Sequence, residues 1–119
     1  MENTTIESEG SILEDIKSLL GVQKDYTHFD KELIIHINSA IMVQSQLGLG
    51  PEGGYKIKDK TNIWTEYLGE RDDLESAKTA LFLRVKLAFD PPVTSYLQNL
   101  IQKQIEELEW RLNIQIEGE

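Results

Sequence analysis

Two consecutive prolines, Pro91 and Pro92, separate the two most regular stretches of the chain, and that break constrains the fold more than any other feature. Proline disfavours helical backbone in the residue before it, so a helix running up to Phe89 must stop at Asp90. On the N-terminal side, Leu74, Ala77, Leu81, Val85 and Ala88 recur at helical spacing, with Leu83 and Leu87 widening the face. Asp72, Asp73 and Glu75 crowd the start of this segment and Arg84 and Lys86 its end, which is the charge order a helix dipole favours. On the C-terminal side, Thr94 or Ser95 opens a longer helix whose stripe is Leu97, Leu100, Ile101, Ile105, Leu108 and Leu112. The segment from Asn113 to Glu119 alternates Ile114 and Ile116 with polar residues and reads as a short strand or arm.

The same reading carries backwards along the chain. Ser11-Ile-Leu-Glu14 matches a capping box, Ile12, Leu13, Ile16, Leu19 and Leu20 give helical spacing, and Gly21 fits the stop. Asp30 or Thr27 is suited to cap a second helix carrying Leu33, Ile34, Ile37, Ala40, Ile41 and Gln44, ending near Leu47 and Gly48. Residues 48–54 form a Gly-rich loop, and Tyr55 to Asp59 alternate as a short extended segment would. Thr61 to Leu68 suit one or two helical turns presenting Trp64 and Leu68 to a core, with Gly69 as the stop. The expected fold is therefore all-α, a small bundle of four to five helices with a Gly-rich loop. Residues 1–10 read as a disordered acidic arm and residues 11–119 as a single helical domain.

Composition removes several classes of function. The 119 residues contain no cysteine, which excludes disulfides, thiolate zinc sites and thiol catalysis. No run approaches the roughly 18 consecutive apolar residues that a membrane span needs, so a soluble protein without membrane contact is expected. Met1 to Gly10 is polar and acidic, unlike a signal peptide. The net charge of −9 opposes tight binding to nucleic acid, which proteins achieve by neutralising phosphates with Lys and Arg. The acidic excess sits at the two ends of the chain, while the middle is nearly balanced.

The candidate chemistry is weak throughout. Gly48-x-Gly50-x-x-Gly53 satisfies the spacing of a dinucleotide fingerprint, but it follows a helix and includes Pro51, which has no amide to offer a pyrophosphate. A loop is the better reading, with no cofactor. Asp72, Asp73 and Glu75 are explained by a helix start, and Glu106, Glu107 and Glu109 by a solvated helix face. His28 and His36 carry no metal-ligand spacing. Lys56, Lys58 and Lys60 alternate along a loop or strand and suit solvent, a phosphate backbone or an acidic partner. These lysines are the only support for an alternative function, a small regulatory DNA-binding protein. Trp64 reads as core. Trp110, one residue off the final stripe, reads as core or as a subunit contact, and Ile114 and Ile116 look like surface that wants a partner. The residues by themselves define a helical interaction module without catalytic or metal residues.

Several segments in order resemble the phage head–tail connector (head-completion, or adaptor) family. The strongest are Leu87-Ala-Phe-Asp-Pro-Pro92 and Ile105-Glu-Glu-Leu-Glu-Trp-Arg-Leu-Asn113. Ile34 to Leu49, Ile63 to Gly69 and Leu13 to Gly21 are similar to the family's second helix, its short tryptophan segment and its opening helix. The resemblance spans roughly residues 11–115 and leaves out the acidic arm. It implies a non-enzymatic protein of the virion neck, assembled in the host cytoplasm, that docks as a dodecameric ring beneath the portal protein. Such a ring extends the channel through which double-stranded DNA passes without specific binding, and receives a stopper or another neck protein. Trp110, Leu112, Ile114 and Ile116 are the residues expected to contact a neighbouring subunit or the portal.

Overall fold

The computed structural model describes residues 10–118. It contains five helices among these residues: α1 (Ile12–Leu20), α2 (Asp30–Gln46), α3 (Trp64–Leu68), α4 (Glu75–Phe89) and α5 (Ser95–Glu117). The all-α bundle read from the sequence is the fold observed. The acidic arm read over residues 1–10 lies, apart from Gly10, outside the described residues.

Helix α4 is the centre of the bundle, packing against α1, α2 and α5. Its Leu74, Ala77, Leu81 and Val85 are buried as their spacing requires. The facing core comes from Ile12, Leu13 and Ile16 of α1 and from Leu33, Ile37, Ala40 and Ile41 of α2. Ala88, by contrast, is exposed, while the next residue, Phe89, packs edge-on against Phe29.

Local chemistry sets the helix ends. Ser11 Oγ accepts the Glu14 amide at 3.2 Å, and Gly21 closes α1 in a left-handed conformation (φ 83°). Thr94 Oγ1 accepts the Leu97 amide at 3.2 Å and opens α5. Helix α2 departs from expectation. Its N-cap is Phe29, without a side-chain cap, and Asp30 is turned to another task. The Asp30 carboxylate meets the ammonium of Lys17 at 2.8 Å, and Lys17 also donates to the Lys24 carbonyl at 2.9 Å. Lys17 is fully buried and thereby ties the end of α1 to the connection into α2.

The segment from residue 55 to 59 forms no strand, although it keeps the alternation of one. Ile57 points inward, and its amide and carbonyl both pair with the side-chain amide of Asn38 at 2.7 and 3.0 Å. Lys56, Lys58 and Lys60 point to solvent between these contacts. Helix α3 seats Trp64, Tyr67 and Leu68 in the core. The Tyr67 hydroxyl donates to Gln44 Oε1 at 2.6 Å, and Gln44 Nε2 donates to the Ala77 carbonyl at 2.9 Å. This buried chain fastens α3, α2 and α4 to one another.

The Gly-rich loop is pinned rather than free. Leu49 is buried in the core, and Gly48 and Gly50 have φ of 103° and 87°. A Cβ on Gly50 would lie 2.9 Å from the Tyr67 ring, and one on Gly48 would lie 2.8 Å from Ile116 Cγ2. Gly50→Ala is therefore expected to cost about 1–3 kcal/mol, because it adds left-handed strain to a clash with a ring that Gln44 holds in place. Chemical denaturation measures this loss, with Gly53→Ala, which meets nothing within 4 Å, as the control.

The C-terminal segment corrects the sequence reading. Residues 113–117 continue α5 and form neither strand nor arm. Residues two apart on a helix lie about 200° apart, so over three residues a helix mimics the alternation of a strand. Ile116 extends the buried line of Ile105 and Leu112 and closes over Gly48, while Ile114 faces away. Gln115 Nε2 reaches the Asp73 carbonyl and carboxylate at 3.0 Å, securing the same end.

Candidate interaction surface

Helix α5 meets the bundle with only one side and one half. Ile105 and Leu112 are its buried residues, and no residue between Ser95 and Gln104 is buried. The anchor is Arg84 of α4, whose guanidinium grips both carboxylate oxygens of Glu109, with Nη2 to Oε1 at 2.9 Å. That bidentate contact holds the Arg84 pKa above its ordinary value.

The opposite side of α5 is apolar and open. Tyr96, Leu100, Trp110 and Ile114 are exposed, with Trp110 64% and Ile114 49% accessible. At about 100° per residue they share an arc of about 80° with Lys103 and Glu107, and they run for about 27 Å. Leu97 and Val93 extend the surface at its N-terminal end. Isolated helices shorter than about 12–15 residues are marginal in water, and the half of α5 from Ser95 to Gln104, which buries no residue, is that short. Of the four residues expected at an interface, Trp110 and Ile114 lie on this open stripe. Leu112 is wholly buried against the bundle and presents no surface, and Ile116 packs on the core. The Leu97–Leu100 portion of the stripe was read from the sequence as core.

A second apolar surface lies across the molecule. A groove of about 480 Å³ opens between α1 and α4, with Phe82 and the edge of the nearly buried Trp64 along its floor and Leu19, 62% accessible, on its rim. Trp64 Nε1 donates to Asp15 at 2.7 Å, and the Lys78 ammonium sits 5.4 Å from the indole centroid while pairing with Glu75 at 3.2 Å. Glu75, Thr79 and Phe82 share one face of α4. Arg84, nine positions after Glu75, lies about half a turn of the helix away, on the face that meets α5. The groove and the α5 stripe thus look outward in opposite directions.

The remaining polar groups serve the fold. Asp73 is held below the ordinary carboxylate range by Arg71, which pairs with it at 2.9 and 2.6 Å, and Glu107 pairs with Arg111 at 2.7 Å. The Tyr55 hydroxyl donates to Glu66 at 2.7 Å; burial and this neighbouring carboxylate push Tyr55 up to about 12, and the hydroxyl draws Glu66 down. Glu66 also receives the Ile63 amide at the start of α3. His36 approaches Glu32 at 3.4 Å and the Phe89 ring, whereas His28 packs between Tyr26 and Phe29. Among the described residues no three His, Cys, Asp or Glu side chains converge as a metal site would require. The Gly48–Gly53 stretch lies between α2 and α3, with no strand before it among the described residues.

The described residues thus form a small all-α bundle with two exposed apolar surfaces. A family model described as phage connector protein matches residues 12–119, and the chain belongs to that family. Searches of curated proteins and of solved structures returned no match. Family membership makes the chain a phage connector protein, a virion component that works through other head or tail proteins. None of its described helices is long and apolar enough to cross a membrane.

Proposed function

We propose that this chain is a head–tail adaptor of the phage neck, with residues 11–119 as its adaptor domain. Copies of it form a dodecameric ring beneath the portal protein. The ring extends the DNA channel and receives the stopper or next neck protein. The role is structural, without catalysis or cofactor. Acidic residues lining the channel repel phosphate and keep the passing DNA from adhering.

The observation that carries this reading is the open apolar stripe of α5 in a chain of the connector family. Such a surface on a soluble chain marks a protein interface. The test is to mix the purified protein with the portal protein of the same phage and follow the product by size-exclusion light scattering. A portal peak whose mass rises by a whole ring of subunits is expected. Separate elution at every ratio would remove the adaptor role.

A further inference from the structure

We infer that neighbouring subunits join by seating the α5 stripe of one copy, with Trp110 leading, in the α1–α4 groove of the next. The inference rests on the adaptor reading above and names the surfaces on which it depends.

Three observations select a second copy of this chain as the occupant. The first is position. A closed ring of identical subunits needs two different patches that face away from each other on one subunit. The stripe and the groove satisfy this, because α5 and the groove lie on opposite faces of α4.

The second is shape. Trp110 stands 64% exposed on its helix, and the groove offers about 480 Å³ over an apolar floor whose open surface comes from Leu19 and Phe82, with the edge of Trp64 beneath. A seated indole exchanges water for this floor, and a Trp buries about 150–250 Å² in such a site.

The third is charge. Glu107 on the stripe pairs at 2.7 Å with Arg111 beside it, and the groove edge carries Glu75 and Lys78 paired at 3.2 Å. In both pairs the acid precedes the base. Laid antiparallel, α5 of one copy brings Glu107 to Lys78 and Arg111 to Glu75 of the next, so both internal pairs exchange partners across the contact and no charge is left alone. All four side chains are solvent-accessible in the single chain, so the exchange leaves the fold intact.

The chain has no cysteine, which makes thiol cross-linking clean. The double variant Glu75→Cys/Arg111→Cys, treated with a short bismaleimide with and without portal protein, is expected to give a ladder of dimers, trimers and higher species. The two single variants mixed together are expected to stop at dimers. Adding Trp110→Ala to the double variant should cut the ladder by about tenfold or more, as loss of an aromatic anchor does, with the helical circular dichroism unchanged. A double variant that stays monomeric in both conditions overturns the inference. So does Arg111→Cys cross-linking efficiently to itself, or a ladder indifferent to Trp110→Ala. Wild-type protein that joins the portal while the double variant gives no ladder removes this interface and leaves the adaptor reading. A ladder from a protein that never joins the portal removes the adaptor reading and leaves the interface.

Discussion

Leu81→Ala is expected to destabilise the protein by about 2–5 kcal/mol, because it leaves a cavity where α1, α2 and α4 meet. Leu81 is fully buried in the core cluster, on the one helix that contacts α1, α2 and α5. A domain of this size holds only about 5–15 kcal/mol in total, so the loss is a large share of its stability. In urea the midpoint should fall with little change in slope, since the surface exposed on unfolding is nearly the same. Leu97→Ala is the matching control. Leu97 has the same chemistry and the same helical spacing but is 45% accessible, and its loss should change stability by no more than about 0.5 kcal/mol. Equal effects at the two positions would contradict the placement of α5 described above.

Lys17→Met should cost about 2–3 kcal/mol for a different reason. Methionine fills the space of the lysine stem but leaves the Asp30 carboxylate and the Lys24 carbonyl without their donor. Breaking a buried ion pair from one side costs about 3–5 kcal/mol. Asp30 keeps 27% of its side chain accessible, so part of its hydration survives and the lower figure applies. The double variant Lys17→Met/Asp30→Leu should recover most of the loss, since no charge then remains unpaired. A thermodynamic cycle over the four proteins gives the coupling directly. Additive losses would show that the pair contributes nothing of its own.

Much of this fold was legible because local signals agreed with the tertiary packing. Ser11, Gly21, Thr94 and the Pro91–Pro92 break each act on the backbone within a few residues; Ser11, Gly21 and the break stand where the sequence reading put them, and Thr94 is the one of its two candidates, Thr94 and Ser95, that caps α5. Most of the buried face of α4 followed from its period, although Ala88 of that face is exposed and Ala80, not read on it, is fully buried. The misses came where a partner distant in sequence decides the outcome. Asp30 looks like a cap until Lys17, thirteen residues earlier, arrives to pair with it. Ile114 and Ile116 look like a strand until Gly48 and Asp73 show which side of a continuous helix is covered.

Periodicity reveals that α5 has an apolar side, but not how much of that side the rest of the chain reaches. Leu97 and Leu100 therefore read as core and prove open, whereas Leu112 reads as interface and is enclosed. Trp110, one step off the stripe, read equally as core or as a contact, and the structure leaves it 64% accessible. The groove could not be read at all. Leu19, Trp64 and Phe82 come from three separate elements, and only the fold assembles them.

The measurement that bears most directly on the central claim is negative-stain microscopy of the portal protein incubated with this chain. Class averages showing one added ring, coaxial with the portal and continuing its channel, are the result expected of a neck adaptor. A bare portal beside free protein, at concentrations where both are folded, would contradict that account.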